Sequence, residues 1–483
     1  MDQGTGEGFL LRGSTIEPAR KVKSFSGKES GDEKKEFLRL PLVSVIVVNF
    51  NYGRFLHAAV DSIFGQTYPN VECIVVDNAS TDESGAVLQA IESRYASVKI
   101  IRRAENGGQS RAALEGFAAS SGSYVIFHDA DDLLLPHCVE AHIFVHLSLR
   151  IHAGFTSGDM LQMSGDQVVL GTEDGFNRRM QTGRGIKPRA ARPYRHMFGE
   201  TWPPEDFDHS VLETIRFVSL TKQWVWSPTS GNCFRRDALN LFADNPAVQS
   251  LKTGTDLYFC LGINAVSGSV LIDVPVAVYR LHGGNMYSQR PQLNHVLCYE
   301  PGGTGDSNAK ARAVLVDHLI ERADRFAGRG WTWIEFLWLL WRVDCKNPDS
   351  GAPGWARRSR AAAALVKNYD TVAPLVGGWA IKVWLALRFV PLKAIFDLEK
   401  DPASEPADLD AALPPRTAPI VKKIELHRSV MHCFFFSARA IQGGEGSAKR
   451  SGISPKGLPP LTRKARAFLS KWIPVRVKKM RLK

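Results

Sequence analysis

The sequence predicts an α/β fold, with a mostly parallel sheet flanked by helices and followed by a helical C-terminal region. Between residues 42 and 130, short apolar runs alternate with amphipathic segments, which is the pattern of a parallel sheet wrapped by helices. Polar residues follow these runs directly, as expected where strands end at a ligand-binding edge. From about residue 310 the sequence becomes helical in its spacing and rich in Trp.

The predicted elements follow one another in a regular order. Four buried-type strands are expected at 43–48, 71–76, 98–101 and 124–127. Helices are expected at 54–64, 82–94, 110–119 and 136–149. The first of these helices carries Leu56, Val60 and Ile63 at the spacing of one apolar face.

The second half of the chain is less regular. Residues 171–222 are rich in Gly, Arg and Pro, and we expect an irregular insertion there. Regular secondary structure is expected again at 224–234, followed by helices near 237–242 and 255–265 and a strand pair around 270–281. Residues 373–398 are apolar but interrupted by charges such as Lys382 and Arg388. This pattern fits an interfacial or packed helix better than a membrane span.

Composition divides the chain into four parts. The 483 residues have an ordinary globular composition, and the seven cysteines form no CxxC pair, which fits a reducing compartment without a zinc site. No signal peptide is visible near the N-terminus, and residues 1–40 have the composition of a disordered leader. We predict an α/β domain at 41–292, a helical, aromatic-rich region at 293–398, and a linker with a basic tail at 399–483.

The excess positive charge lies in that tail. The chain has 61 Lys and Arg against 49 Asp and Glu, and 12 of the basic residues lie between Lys449 and Lys483, where there is no acidic residue. The other 49 basic residues therefore balance the acidic ones. Apolar side chains such as Phe468 and Trp472 are interleaved with these charges, which suits an anionic lipid surface. Nucleic acid binding and plain disorder are the alternatives.

Three carboxylates stand within four residues at the end of the fourth predicted strand. The apolar run 124–127 leads into HDADD, which contains Asp129, Asp131 and Asp132. Carboxylates this close repel one another and are not normally buried without compensation. Mg²⁺ or Mn²⁺ supplies that compensation and is often shared with substrate phosphates. Taken alone, the run is equally consistent with an acidic turn that caps the next helix.

Polar residues also follow the first two strands. The sequence NFNYG, which contains Asn51, follows the first strand, and DNASTD, which begins with Asp77, follows the second. An Asp at such an edge can accept hydrogen bonds from a ribose or a base. The alternative for Asp77 is an ordinary residue of the turn after the strand. Asp82 is better explained as a helix N-cap.

A glycine-rich turn precedes the third predicted helix. Its sequence ENGGQSRAA contains Asn106, Gly107 and Arg111. Glycines that open a helix allow close approach of the backbone to a ligand, and a helix N-terminus favours negative charge. By itself the segment is equally a simple turn from loop to helix.

Together these segments resemble the family 2 glycosyltransferases with a GT-A fold. The resemblance covers residues 42–140 and rests on VSVIVVNFNYGRFLHAAVDSIFGQTYPNVECIVVDNASTDES, ENGGQSRAALEG and YVIFHDADDLL. It implies that Asp77 contacts the nucleoside and that Asn51 lies beside the base. It also implies that Asp129 and Asp131 form the DxD pair, which reaches the ribose and a metal that bridges the diphosphate.

The resemblance continues more weakly downstream. SGNCFRR, with Gly231 and Asn232, resembles the segment that lines the acceptor side. Asp256 in GTDLY matches the catalytic Asp of the family, with Thr255 where many members carry Glu. A base there deprotonates the acceptor hydroxyl, and a helix cap is the alternative for Asp256. RLHGGN resembles a loop whose His faces the metal or diphosphate, here His282, which is otherwise a surface turn residue.

The resemblance therefore implies a metal-dependent hexosyltransferase that uses Mg²⁺ or Mn²⁺ and inverts the anomeric centre. Its expected partners are a nucleotide-diphospho-sugar donor, a saccharide or lipid-linked acceptor and an anionic membrane surface, with no nucleic acid. The expected setting is cell-surface polysaccharide or glycolipid synthesis, in the cytoplasm or at the inner face of the plasma membrane. A nucleotidyltransferase of similar fold and a non-catalytic scaffold with a degenerate domain are the alternatives.

Overall fold

The computed structural model describes residues 39–399, apart from 172–173, 184, 186–189, 196–201, 205–206, 222, 286–304 and 328–332. Residues 1–38 of the predicted leader and 400–483 of the predicted tail lie outside this part, as does Trp331 of the Trp-rich stretch.

The described strands and helices alternate through the first half of the chain and become helical after residue 305. The strands are β1 Val43–Asn49, β2 Val71–Asp77, β3 Lys99–Arg102, β4 Tyr124–Asp129, β5 Leu133–Leu134, β6 Phe155–Ser164, β7 Gln167–Gly171, β8 Arg216–Val218, β9 Asn232–Arg235 and β10 Ser269–Leu281. The helices up to that point are α1 Gly53–Phe64, α2 Ser84–Arg94, α3 Gln109–Ala119, α4 Cys138–Ser148, α5 Asp174–Thr182, α6 Val211–Thr214, α7 Arg236–Leu239, α8 Pro246–Gln249 and α9 Thr255–Ser267. The later helices are α10 Gly305–Glu321, α11 Ala323–Ala327, α12 Trp333–Val343, α13 Gly354–Arg358, α14 Arg360–Lys367, α15 Tyr369–Val376, α16 Gly378–Leu387 and α17 Leu392–Phe396.

One sheet connects these strands in the order β3-β2-β1-β4-β9-β6-β10-β5, with β7 on β6 and β8 on β10. The β3-β2-β1-β4 half is parallel, whereas β9 is antiparallel to both of its neighbours. The register pairs Asn49 with Asp77 and Val48 with Asp129. Three strand ends with polar side chains therefore meet at one edge.

Helices cover both faces of this sheet. Leu56 and Val60 of α1 are buried against one face, and Ala112 and Phe117 of α3 against the other. Gly116 lets α3 approach closely, because a Cβ there would clash with Cγ2 of Ile46. The predicted fold class is confirmed: an α/β sheet flanked by helices is followed by a helical region.

Two predictions for the second half of the α/β part were wrong, and one strand was missed. The residues around 270–281 form one strand, β10, whose register shifts around Pro275 because proline lacks the N–H that the ladder requires. The long strand β6 was not predicted, since its buried polar residues hide the strand pattern; Thr156, for example, bonds to His142. The region 171–222 contains α5, α6 and β8 in addition to irregular chain.

The C-terminal helices pack on the α/β part through α10, whose Ala311, Leu315 and Leu319 are buried in the shared core. The aromatic helix α12 also turns inward, and its Trp341 contacts Trp384 edge to face. Among the described helices, none is by itself long and apolar enough to cross a membrane. The pair α15 and α16 meets that test only jointly, across a bend of 111°.

Candidate active site

The parallel strands bring their polar ends together at one edge of the sheet. The buried Asn49 donates through Nδ2 to Oδ1 of Asp77 at 2.8 Å and to the hydroxyls of Ser80 and Ser84 at 3.1 and 2.9 Å. This amide ties the end of β1 to the end of β2 and to the first turn of α2. The sequence predicted the strand ends but not this role of Asn49.

Asp77 and Asn51 are joined through Ser80. The hydroxyl of Ser80 donates to Oδ1 of Asp77 at 2.6 Å and accepts from the backbone N–H of Asn51 at 2.9 Å. Asn51 has a left-handed backbone (φ 59°), and its Oδ1 accepts from the N–H of Thr81 at 2.8 Å. Asp77 is buried and Asn51 is exposed, so Ser80 links a buried side chain to one at the surface.

The glycine turn before α3 is bound to the same edge. Nδ2 of Asn78, the residue after Asp77, donates to Oδ1 of Asn106 at 2.8 Å, and Oδ1 of Asn78 accepts from the N–H of Gly107 at 3.1 Å. A Cβ at Gly107 would lie 2.7 Å from Cδ of Arg111, so only glycine fits here without displacing that side chain. Arg111 itself is exposed on the first turn of α3. Asn78 was not predicted as a site residue.

Four carboxylates face one another where β4 ends. Burial raises the pKa of Asp129 to about 7, and the neighbouring Asp131 and Asp256 contribute to the rise. Burial and the charges of Asp131 and Asp129 hold the pKa of Asp132 well above its usual value, and burial also raises the pKa of Asp256. The sequence predicted this crowding for Asp129, Asp131 and Asp132. The structure adds Asp256, which lies at the start of α9.

Asp131 is paired with His282. Oδ2 of Asp131 lies 3.0 Å from Nε2 of His282, and Nδ1 of His282 accepts from the N–H of Gly284 at 3.2 Å. Because Nδ1 accepts, a neutral His282 carries its proton on Nε2 and donates it to Asp131. The rings of Tyr52 and Phe55 lie against the imidazole, with centroids 5.5 and 4.6 Å away. The sequence predicted His282 from its motif and missed these two aromatic neighbours.

The residues at this point suit a metal that is shared with a ligand. Within the described ranges, no group of three or more His, Cys, Asp and Glu side chains is arranged to hold an ion on its own. Mg²⁺ characteristically takes one or two carboxylates and completes its shell with phosphate oxygens and water. Asp131 and His282 offer such a partial donor set, and the buried Oδ1 of Asp132 beside them has no hydrogen-bond partner.

A short turn before β9 closes the other side of the cluster. The hydroxyl of Ser230 donates to Oδ2 of Asp132 at 2.7 Å and accepts from the N–H of Asp129 at 3.1 Å. The hydroxyl of Thr229 bonds to Asp129 and lowers its pKa against the effect of burial. Neither hydroxyl was predicted to contact these carboxylates, although Ser230 begins the segment SGNCFRR that was assigned to the acceptor side.

Gly231 and Asn232, predicted for the acceptor side, are both buried. Nδ2 of Asn232 donates to the backbone oxygens of Ser227 and Pro228, each at 2.9 Å. Asn232 therefore shapes the turn that carries Thr229 and Ser230 and offers no exposed side chain. Gly231 has no room for a side chain, since a Cβ would lie 2.6 Å from Cβ of Ser227.

Asp256 and Asp129 line the same recess. Gln109, Thr229 and Phe259 contribute to its wall, and Nε2 of Gln109 donates to Oδ1 of Asp129 at 3.0 Å. The start of α9, which carries Asp256, is bonded to the start of α3 through the hydroxyls of Thr255 and Ser110. The backbone N–H of Gln109 also donates to the carbonyl of Lys252 at 3.0 Å.

Comparison with known proteins shows what part of this site resembles. Residues 44–147 match the family model described as Glycosyl transferase family 2. An uncharacterized glycosyltransferase of Nostoc sp. is 28% identical over 274 residues, which are 56% of this chain and 71% of that protein. The putative teichuronic acid biosynthesis glycosyltransferase TuaG of Bacillus subtilis is 29% identical over 125 residues, which are 26% of this chain and 50% of TuaG.

Among solved structures, the mannosyltransferase PcManGT from Pyrobaculum calidifontis, in complex with GDP-Man and Mn²⁺, is 16% identical. It matches with a TM-score of 0.33 and covers 74% of this chain and 87% of that one. A TM-score this low supports no statement about the present chain. The family match includes the ends of β1, β2 and β4 and the carboxylates Asp77, Asp129 and Asp131. Residues 44–147 therefore carry the sequence pattern of the family 2 glycosyltransferases, and the relatives that this chain resembles are named glycosyltransferases.

Proposed function

We propose that this protein is a glycosyltransferase that moves a hexose from a nucleotide-diphospho-sugar to an acceptor hydroxyl, with inversion and with Mg²⁺ or Mn²⁺ as cofactor. The observation that carries the proposal is the recess in which Asp256 faces Asp129, next to the pair of Asp131 and His282. The carboxyl groups of Asp129 and Asp256 have raised pKa values there because they are buried. Perturbed carboxylates in a recess mark a functional site more often than a purely structural one.

The donor nucleoside is proposed to bind at the edge formed by Asn51 and Asp77. Asp77 keeps an oxygen, Oδ2, whose one hydrogen bond within the described part of the chain is a 3.3 Å bond from the N–H of Ser80, so this oxygen can accept from a ribose or base. The N-terminus of α3 and its glycine turn, with Asn106, Gly107 and Arg111, lie beside that edge and favour the negative diphosphate.

Asp131 and His282 are proposed to hold the divalent cation, and Asp129 supports the donor next to them. An ion held there would neutralise the charge that develops on the departing diphosphate. Asp131 and His282 are held in place before an ion binds, since the imidazole of His282 is fixed by Gly284 and by the rings of Tyr52 and Phe55. Such outer contacts orient metal ligands and strengthen binding.

Asp256 is proposed as the general base. As the acceptor oxygen attacks the anomeric carbon, its proton passes to a carboxylate oxygen of Asp256, and the bond from that carbon to the diphosphate breaks. The nucleoside diphosphate leaves with the electron pair, and one inversion results. Oδ1 of Asp256 accepts from the N–H of Leu257 at 2.7 Å, which fixes the carboxylate at the start of α9.

The acceptor is proposed to be a growing saccharide or a lipid-linked saccharide of the cell surface, with Gly231 and Asn232 in the segment on its side. Support comes from the similarity to TuaG, a putative teichuronic acid biosynthesis enzyme. The basic tail from Lys449 to Lys483 is proposed to attach the protein to the inner face of the plasma membrane.

The test is a screen of the purified full chain against a panel of nucleotide sugars, with Mn²⁺ and with chelator. We expect one donor to bind in a metal-dependent way and to be slowly hydrolysed in the absence of an acceptor. Consumption of a nucleoside triphosphate instead would identify a nucleotidyltransferase. No metal-dependent binding of any nucleotide sugar would support a degenerate, non-catalytic domain.

A further inference from the structure

Exposed apolar side chains are concentrated at the end of the described chain. Nine large hydrophobic side chains in the described ranges are exposed, and six of them lie in the short stretch from Leu375 to Phe396. These six, with exposed fractions between 42% and 67%, are Leu375, Trp379, Val383, Phe389, Leu392 and Phe396. Single exposed apolar residues are ordinary, whereas a concentration of them marks a surface that meets another molecule or a membrane.

The helices that carry these residues have two apolar faces. The inner faces of α15 and α16 bury Val372, Ile381 and Trp384 in the protein core. On the outer side, Trp379 and Val383 are four residues apart on α16, and Leu392 and Phe396 are four residues apart on α17. Each pair therefore lies on one side of its helix. The inner faces of α15 and α16 already pack in the protein core. Two helices bent by 111° are therefore better suited to lie along a membrane surface than to cross the membrane.

The charges on this stretch have one sign. From Leu375 to Phe396 the chain carries Lys382, Arg388 and Lys393 and no acidic residue; Arg388 is paired with the buried Asp344, whereas Lys393 is exposed. Trp and Phe near an exposed Lys suit the boundary of a bilayer, where rings sit at headgroup level and cationic side chains reach the phosphates. A second copy of this chain would bring like charges together, which opposes self-association through this surface.

We propose that α15, α16 and α17 form a membrane-contacting surface that lies flat on an anionic lipid bilayer, with Trp379 and Leu392 inserted among the headgroups. The inference deepens the proposed membrane attachment, on which it rests. These helices provide the apolar contact with the membrane, and the basic tail provides the electrostatic contact. The active site is not involved.

The test uses the full chain and vesicles of phosphatidylcholine with or without phosphatidylglycerol. The double variant Trp379→Ser with Leu392→Ser removes apolar contact without changing charge. The matched control is Val168→Ser, since Val168 is 57% exposed on β7, away from this surface. A tail variant replaces the twelve Lys and Arg between Lys449 and Lys483 by Gln in the intact chain.

We expect the double variant to bind phosphatidylglycerol vesicles about tenfold more weakly or worse, because two large apolar side chains leave the interface. The Val168→Ser variant should bind like the wild type. The tail variant should keep weaker binding that resists salt, and adding the double substitution to it should abolish that binding.

Unchanged vesicle binding of the double variant would overturn the proposal, whatever the tail variant does. If light scattering then showed a changed oligomeric state, the surface would belong to a second copy. If protease cleavage within FFF at residues 434–436 increased instead, the surface would belong to that apolar segment of the same chain. Donor binding in solution is measured in parallel and should be equal in all variants, so a failure of the proposed chemistry would be seen separately.

Discussion

The hydroxyl of Ser110 lies 2.5 Å from the hydroxyl of Thr255, and both side chains are buried. These residues are the second residue of α3 and the first residue of α9, 145 positions apart in the chain. The bond therefore joins the helix that carries Gln109, a partner of Asp129, to the helix that carries Asp256. It also gives Thr255 a structural role at the position where the resemblance leads one to expect Glu.

Replacing Thr255 by Val should lower turnover by about tenfold and leave the dissociation constant of the donor unchanged. Valine keeps the shape of Thr255 but leaves the Ser110 hydroxyl buried without a partner, at a cost of about 1–3 kcal/mol. The start of α9 would then be held less firmly, so Asp256 would be misplaced. The edge at Asn51 and Asp77, where the nucleoside is proposed to bind, would not change. Steady-state kinetics with donor calorimetry measures both quantities.

Thr255→Ser is the matched control and should restore turnover, because it returns the hydroxyl. The double variant Thr255→Val with Ser110→Ala should regain much of the lost stability, since neither partner is then left unpaired. Purely additive losses in stability from the two substitutions would contradict the coupling.

His282→Ala should weaken Mn²⁺-dependent donor binding by about 10–100-fold, the usual effect of disturbing a metal site. Donor binding in the presence of chelator should not change, because His282 lies beside Asp131 and not at the nucleoside edge. Calorimetry with and without Mn²⁺ measures the difference. His152→Ala, at an exposed His outside the site, is the control. Equal losses with and without metal would argue against a ligand role for His282.

Turnover should fall on the acid side with a midpoint above the usual pKa of an Asp carboxyl, about 4. A general base works only when ionised, and burial raises the pKa of Asp256 by disfavouring the charged form. The loss of activity on acidification therefore begins at higher pH than for an exposed Asp. A pH profile of turnover at saturating donor and metal tests this, and an acid limb at or below the ordinary value would contradict it.

Glu72→Gln should destabilise the sheet at neutral pH by about 1–3 kcal/mol. Burial disfavours the charged form of Glu72, but hydrogen bonds from Ser44 and from the Ser121 N–H outweigh it and lower the pKa of Glu72 to about 2. Because the pKa of Glu72 is lower in the folded state, this stabilisation is complete above the ordinary pKa of 4.5 and is lost as the pH falls towards 2.

Urea unfolding of wild type and variant at a series of pH values gives the measurement. The two stabilities should converge as the pH falls through that window. Glu92→Gln should change stability little, since Glu92 pairs with Arg102 on the exposed surface. A difference for Glu72→Gln that persists at the lowest pH would show that the carboxylate charge is not its source.

The parallel half of the sheet was predictable because each strand is an apolar run and each helix has its own periodicity. The same logic identified Asp77, Asp129 and Asp131, since a parallel sheet brings the ends of consecutive strands to one edge. It failed for β6, whose polar side chains are buried in specific hydrogen bonds, as Thr156 with His142 shows. Local patterns carry no information about such distant partners.

Other parts of the site depend on contacts between segments far apart in the chain. Ser230 reaches Asp132 across 98 positions, and Arg280 donates to the backbone oxygen of Asp131 across 149. Neither residue stands out in its own segment. The segments HGG and GTD predicted His282 and Asp256 through the resemblance. The contacts that fix these two side chains are visible only in the structure.

Asp256→Asn tests the central claim most directly. The amide has nearly the same shape but cannot take a proton, so metal-dependent donor binding should match the wild type while sugar transfer falls by about 10²–10⁴-fold. Asp273→Asn, at an exposed Asp outside the site, should leave both unchanged. Transfer at the wild-type rate by the Asp256→Asn variant would contradict the assignment of the base, and with it the account of how this site works.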